Sequence, residues 1–238
     1  MPTTNSLYTI NQTLLYSPPD STIPTVASDV DGTLTTGQLW KAMRDYLIQH
    51  GRATAFRFFL LRRLPSILLF RLGLIDSQPF RERWMLGMLA LCKGLSEEEF
   101  SEMGKWVVEE DLWPNCRPAV VKELQQRKQN GCRVVIVTGI FEPILAHLAQ
   151  KLEVEAIGTA VGFQNQHCTG QTVSGLNVGE RKVAQLQAFA QNGRIKAAYG
   201  DSWRDIPMLE MSQEPVAVYP DERLKKVAQE RGWRILMG

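Results

Sequence analysis

Apolar positions along the chain change their period twice. Residues 1–23 show weak periodicity and a Pro18-Pro19-Asp20 break, and they read as an irregular lead-in. A short β-type run follows over 24–28. From about Leu39 to about Leu112 the spacing is helical: Leu39, Met43, Tyr46 and Leu47 form one apolar stripe, and Phe100, Met103, Val107 and Val108 form another. Pro65 predicts a kink or a division in the helical stretch 54–71. Ser96 ahead of Glu97, Glu98 and Glu99 is a helix-start signal, with acids in the first turn.

After Trp113-Pro114 helix and strand patterns alternate. A helix over 118–129 ends at Asn130-Gly131, a good C-terminal stop. Residues 132–139 are a continuous, β-branched run of the kind buried on both faces of a parallel sheet. A helix is predicted over 143–152, a short hairpin within 158–175, a helix over 179–191 and a strand over 195–199. Residues 216–219 and 233–236 read as two last strands around a helix. Such alternation predicts an α/β fold with a doubly wound, mostly parallel, Rossmann-like sheet. The helical block between its first and second strands reads as an inserted all-helical cap. The predicted division is a core of 1–40 and 113–238, with the cap at 41–112.

Composition narrows the picture modestly. Twenty-seven basic residues against 25 acidic ones give a net charge of +2, which offers no reason to invoke nucleic acid. Cys92, Cys116, Cys132 and Cys168 are scattered and read as reduced thiols of a cytosolic protein, not as a metal site or disulfide frame. The first twenty residues carry no Lys or Arg and no apolar segment, which argues against a signal peptide. No run approaches the roughly twenty apolar residues that span a bilayer. The expectation is a cytoplasmic protein.

The chemistry begins where the first strand ends. Asp29 and Asp31 lie one residue apart, and on a continuing strand they would point to opposite faces. They can serve one site only if the chain turns there, which Gly32 permits and which Thr33 could support by bonding a backbone group. Open parallel sheets bind ligands at the carboxyl ends of their strands. Two further predicted strands end in suggestive groups, Thr138-Gly139 and Asp201 with Asp205, and Lys182 sits near a helix start. Acid pairs, a hydroxyl beside a glycine and a lysine suit phosphoryl transfer with a hard divalent cation such as Mg²⁺. Asp205 could also merely cap the helix that starts near Ile206-Pro207. His50, His147 and His167 show no metal-ligand spacing.

The set resembles the haloacid dehalogenase superfamily of phosphatases. Its DxDGT motif stands as Asp29-Val30-Asp31-Gly32-Thr33, its second motif as the strand ending in Thr138, its third as Lys182, and its GDxxxD motif as Gly200 to Asp205. The inserted cap and the spacing of Asp205 from Asp201 look most like the phosphoserine-phosphatase-like branch. The resemblance implies roles. Asp29 would be the nucleophile that forms an aspartyl-phosphate, and Asp31 the general acid, then base. Mg²⁺ would be held by Asp29, the backbone carbonyl of Asp31, and Asp201. Gly32, Thr138, Gly139 and Lys182 would hold the phosphate, with Thr33 and Asp205 in support. A phosphotransferase using the same intermediate, and a phosphate-binding scaffold without catalysis, are the competing readings.

Two departures from phosphoserine phosphatases bear on substrate. Gln38 stands where those enzymes resemble one another in carrying a glutamate, and Ile140 replaces a second glycine after the hydroxyl residue. Ile140 and Phe141 are therefore expected to make that wall apolar. Between Gly51 and Arg83 the cap holds seven arginines against two acids, interleaved with bulky apolar residues. One reading is a helix packed on the core with its arginines in water. The other is an interfacial segment that touches an anionic membrane peripherally or accepts an amphiphilic, lysophospholipid-like phosphate. Arginines also suit a second anionic group on a small-molecule phosphate ester.

Overall fold

The computed structural model describes residues 23–237, so nearly all of the irregular lead-in lies outside the described residues. β1 (Thr25–Ser28) is buried along its whole length and pairs in parallel with β2 (Arg133–Phe141) on one side and β6 (Ile195–Gly200) on the other. β3 (Glu155–Thr159), β7 (Ser212–Val218) and β8 (Arg234–Leu236) complete a six-stranded parallel sheet in the order β3-β2-β1-β6-β7-β8. β4 (Val161–Gln164) and β5 (His167–Thr172) form a separate antiparallel hairpin within the stretch predicted to hold one.

Alternation along the central strands explains how one sheet serves two cores. Val26, Val134, Ile136, Ala197 and Tyr199 face one apolar cluster. Ala27, Val135, Val137, Ala198 and Ala217 face the other. The run that looked uniformly apolar is thus two period-two faces, both covered. Five α-helices of the parallel part pack over it: α5 (Pro118–Gln129), α6 (Glu142–Leu152), α7 (Glu180–Leu186), α8 (Ile206–Glu210) and α9 (Glu222–Glu230), with a one-turn 3₁₀ helix at Trp203–Asp205. α7 is shorter than the 179–191 expected, because the chain tightens into a 3₁₀ turn at Gln187–Phe189. Strand β3 carries no strong alternation in sequence and was not predicted.

Between β1 and β2 the chain is helical: α1 (Leu39–Leu47), α2 (Ala53–Arg71), α3 (Ser77–Leu91) and α4 (Glu97–Val107). The predicted stripes on α1 and at the end of α4 are buried. Ser96 accepts from the Glu99 N–H while Glu99 accepts from the Ser96 N–H, a complete capping box. Gly51, with φ +79°, breaks the path between α1 and α2. Of the kink or division expected at Pro65, the division is absent: α2 runs through it, and the proline stands exposed, where the carbonyl it leaves unbonded can turn to solvent. Ile140 and Phe141 also depart from expectation. β2 continues through both, and their side chains are fully buried in the core instead of lining a wall beside Gly139.

Candidate active site

The sheet order reverses direction of growth between β1 and β6, and the carboxyl ends of these neighbours open a crevice between core and cap. Asp29 follows β1 directly, and its N–H donates to the Tyr199 carbonyl on β6 at 2.9 Å, so the first residue past the strand is still held by the sheet. The chain then turns: Leu34 and Thr35 N–H groups donate to the Val30 carbonyl, both at 3.0 Å, and Gly32 N–H to the Thr35 carbonyl at 2.8 Å. Gly32 adopts φ +87°, and a Cβ there would collide with the Asp201 carboxylate. Glycine is needed both for the turn and for the close approach of Asp201.

Lys182 joins residues distant in sequence. Its Nζ donates to Asp29 Oδ1 at 2.5 Å and to Asp205 Oδ1 at 2.7 Å, with only 4% of the residue exposed. The other oxygen of Asp205 accepts from the Ser202 N–H and hydroxyl at 3.2 and 3.0 Å. Asp205 therefore orients the lysine and closes the Ser202 turn before it, while its side chain makes no capping bond to the helix that starts at Ile206, where a cap was the alternative reading. Thr33 donates to Asp201 Oδ1 at 3.2 Å, a carboxylate partner where a backbone one was expected. Thr138 is fully buried and accepts from the Ile140 N–H at 3.3 Å; with Gly139 it lines the same crevice. All nine candidate residues thus converge on one end of the sheet.

The electrostatics are those of acids crowded around one cation. Burial raises the Asp29 carboxyl well above the usual range; Lys182 opposes this, while Asp205, Asp201 and Asp31 reinforce it. Desolvation within the crevice pushes Asp31 to about 6, again against Lys182, with Asp111 and Asp205 adding repulsion. Asp31 is open to water in the crevice. Asp201 is pushed to about 7 by burial and by Asp205. Burial alone would lower the Lys182 pKa, but Asp205 and Asp29 hold it above its usual value. Oxygens of Asp29, Asp201 and Asp205 lie within 4.8 Å of one another. This is a hard, oxygen-only donor set short of positive charge, and it fits a divalent cation such as Mg²⁺. Asp205 already spends both oxygens on Lys182 and Ser202, which leaves Asp29 and Asp201 as the freer carboxylates.

The cap supplies the opposite wall of a crevice of about 1060 Å³. Trp84 lies edge-on to Trp40 at 5.4 Å and stacks on Phe80 at 5.9 Å, and Phe80 stacks on Phe70 at 4.4 Å. Arg71 and Arg81 also line it, and Arg204 from the GDxxxD turn bridges to Glu82 on the cap at 3.0 Å. Several supporting residues had escaped sequence reasoning. Asp221 accepts from the Trp203 and Leu224 N–H groups and its own N–H donates to the Asp201 carbonyl, so one helix cap steadies the turn that carries Asp201. Its Asp-Glu pair before an apolar-periodic segment was the available signal. Arg117, which donates to the Gly32 carbonyl at 3.2 Å, and Asp111 had none.

A family model described as haloacid dehalogenase-like hydrolase matches residues 26–210. The chain belongs to that family. Within it, the chain is 29% identical over 158 residues to a histidinol-phosphatase of Neisseria meningitidis, covering 62% of this chain and 71% of that one. It is 29% identical over 152 residues to phosphoserine phosphatase SerB1 of Mycobacterium tuberculosis, covering 62% of this chain and 49% of the relative, so it spans about half of that protein's length. Among solved structures, a protein of unknown function from Bordetella pertussis superposes with a TM-score of 0.75 at 21% identity, over 90% of this chain and 99% of that one. A phosphoserine phosphatase from T. onnurineus superposes with a TM-score of 0.54 at 21% identity, over 92% of both chains. At these identities the structural likeness establishes the fold alone.

Proposed function

We propose that the protein is a Mg²⁺-dependent phosphomonoester hydrolase working through an aspartyl-phosphate on Asp29. The observation that carries this reading is the placement of Lys182: it takes one oxygen of Asp29 and leaves the other for attack, at a strand end where Asp31, Thr138 and Gly139 also converge. Asp29 forms a bond to phosphorus as the ester P–O bond breaks, and Asp31 gives its proton to the departing oxygen. Asp31 then takes a proton from water as that water attacks phosphorus, which frees inorganic phosphate and restores Asp29. The Thr138 hydroxyl and the Gly139 N–H hold phosphoryl oxygens, and Lys182 balances their charge. Mg²⁺ would be held by Asp29, Asp201 and the carbonyl of Asp31; when bound it neutralises charge on the phosphoryl group.

The leaving group lies against the cap. Trp40, Phe70, Phe80 and Trp84 favour a large apolar portion. Arg71 and Arg81 suit a second anion. Gln38 also lines the crevice and supplies no charge to meet an amino group, which disfavours phosphoserine. The substrate class is a small or amphiphilic phosphorylated metabolite. Turnover of p-nitrophenyl phosphate with Mg²⁺, its loss with EDTA and its abolition in Asp29→Asn are expected. A panel of phosphoserine, histidinol phosphate and a lysophosphatidate then ranks substrates by kcat/KM. Phosphate binding without any turnover would make the chain a scaffold and end the hydrolase reading.

A further inference from the structure

Helix α2 has one face packed and one face bare. Phe56, Phe59, Leu60, Ile67 and Phe70 turn toward α3 and the crevice and are buried or half-buried. Thirteen large apolar side chains are exposed among the described residues, and seven of them lie between Phe58 and Leu74. This concentration is a patch, not the scatter normal on a soluble surface. Phe58, Leu61, Leu68 and Leu72, exposed by 61, 63, 59 and 63%, recur at helical spacing on one face, with Leu64 and Leu69 at its margins. Arg57 aligns with Leu61 and Leu64 one and two turns on, and Arg62 lies over the Phe58 ring at 5.8 Å. From Gly51 to Ile75 there are five arginines and no acid. No helix among the described residues is long and apolar enough to cross a membrane.

The geometry points to docking of this face on an anionic lipid surface, with α2 lying along the interface. Charge complementarity selects the occupant. An apolar stripe carrying several arginines and no acid matches acyl chains below and anionic headgroups around them, and long arginine stems reach outward to those headgroups while the leucines sink. A second copy of this face would set like charges against like. The docked helix is also a crevice wall, since Ile67, Phe70 and Arg71 line the crevice from its other side. Docking would therefore hold the mouth of the site near the lipid plane. The inference stands whether or not the protein hydrolyses phosphate esters.

Co-sedimentation of the whole protein with vesicles tests it. Vesicles of equal parts phosphatidylglycerol and phosphatidylcholine should pellet the protein at low salt, pure phosphatidylcholine should not, and rising salt should release it as the Debye length falls from about 10 Å at 0.1 M to about 3 Å at 1 M. Each arginine near an anionic surface is worth about fivefold in partitioning, so R57Q/R62Q should bind about 30-fold more weakly and R57K/R62K should bind nearly as wild type. F58S/L61S should also lose binding while melting at the wild-type temperature, because both side chains are already in water. Failure to pellet with anionic vesicles at low salt, or equal binding to neutral ones, overturns the inference. So does a wild-type dimer on gel filtration that F58S/L61S converts to monomer, which would assign the face to self-association.

Discussion

Replacing Lys182 by methionine tests the arrangement at its centre. Methionine has similar length but no charge, so Asp29 and Asp205 lose their shared partner while the volume stays filled. Both carboxylates are nearly inaccessible, with 4% and 1% of their residues exposed, and water cannot easily take the place of the ammonium. Removing one partner of a buried ionic network costs about 3–5 kcal/mol. A chain of this size loses about 2–4 °C of Tm per kcal/mol, so the melt should fall by about 6–20 °C at pH 7. The pH dependence has a definite sign. The raised Lys182 pKa means that its stabilisation is present at neutral pH and is lost as pH rises past the ordinary lysine value of about 10.4; on the acid side it fades as its carboxylate partners take up protons. Without it the Asp29 carboxyl, already raised by burial, rises further. The deficit of Lys182→Met should therefore be largest near neutrality and shrink toward pH 5. Adding Asp205→Asn should return part of the lost stability, by removing one of the two stranded charges, without returning turnover. Thermal melts by circular dichroism, paired with p-nitrophenyl phosphate hydrolysis, read both quantities. A Lys182→Met protein that melts within about 2 °C of wild type would refute the claim that this lysine neutralises a buried acid pair.

Asp31→Asn should slow hydrolysis by about 10²–10⁴-fold, less for substrates with good leaving groups, and should remove the alkaline limb of the pH–rate profile, since a proton donor with a pKa raised to about 6 is lost as pH rises. An unchanged profile would count against Asp31 as the proton donor. Mg²⁺ should raise Tm more at pH 8 than at pH 5: Asp201, raised to about 7, binds a proton at pH 5 that the cation must displace, and the upward shift of Asp29 acts in the same direction. Equal stabilisation at both pH values would show that these acids do not hold the ion.

The catalytic half of this protein was legible from the chain because its groups occupy strand ends. An abrupt Asp-x-Asp-Gly-Thr after a short β run, a β-branched run ending in Thr138 and Gly200 followed by Asp201 and Asp205 are local patterns, and one topological rule gathers all three at one edge of a parallel sheet. What local pattern could not carry was orientation and partnership. The turn at Asp29-Asp31 required φ +87° at Gly32, but only the fold showed that the same glycine also makes room for Asp201, 169 positions later. Ile140 and Phe141 follow a site residue in sequence yet point into the core, because β2 continues past Gly139 and the pleat, not proximity along the chain, sets which way a side chain faces. Strand β3 was invisible because its register is supplied by β2 beside it. Asp111, at the end of the helical insertion, and Arg117, directly ahead of α5, carry no motif, since their effect on the site runs through space. The cap is the clearest case. Its sequence allowed a helix packed on the core as readily as one lying at an interface, because arginines and leucines alternate without a single period. Only packing against α3 decided which side of α2 is covered, and it left Phe58, Leu61, Leu68 and Leu72 in water.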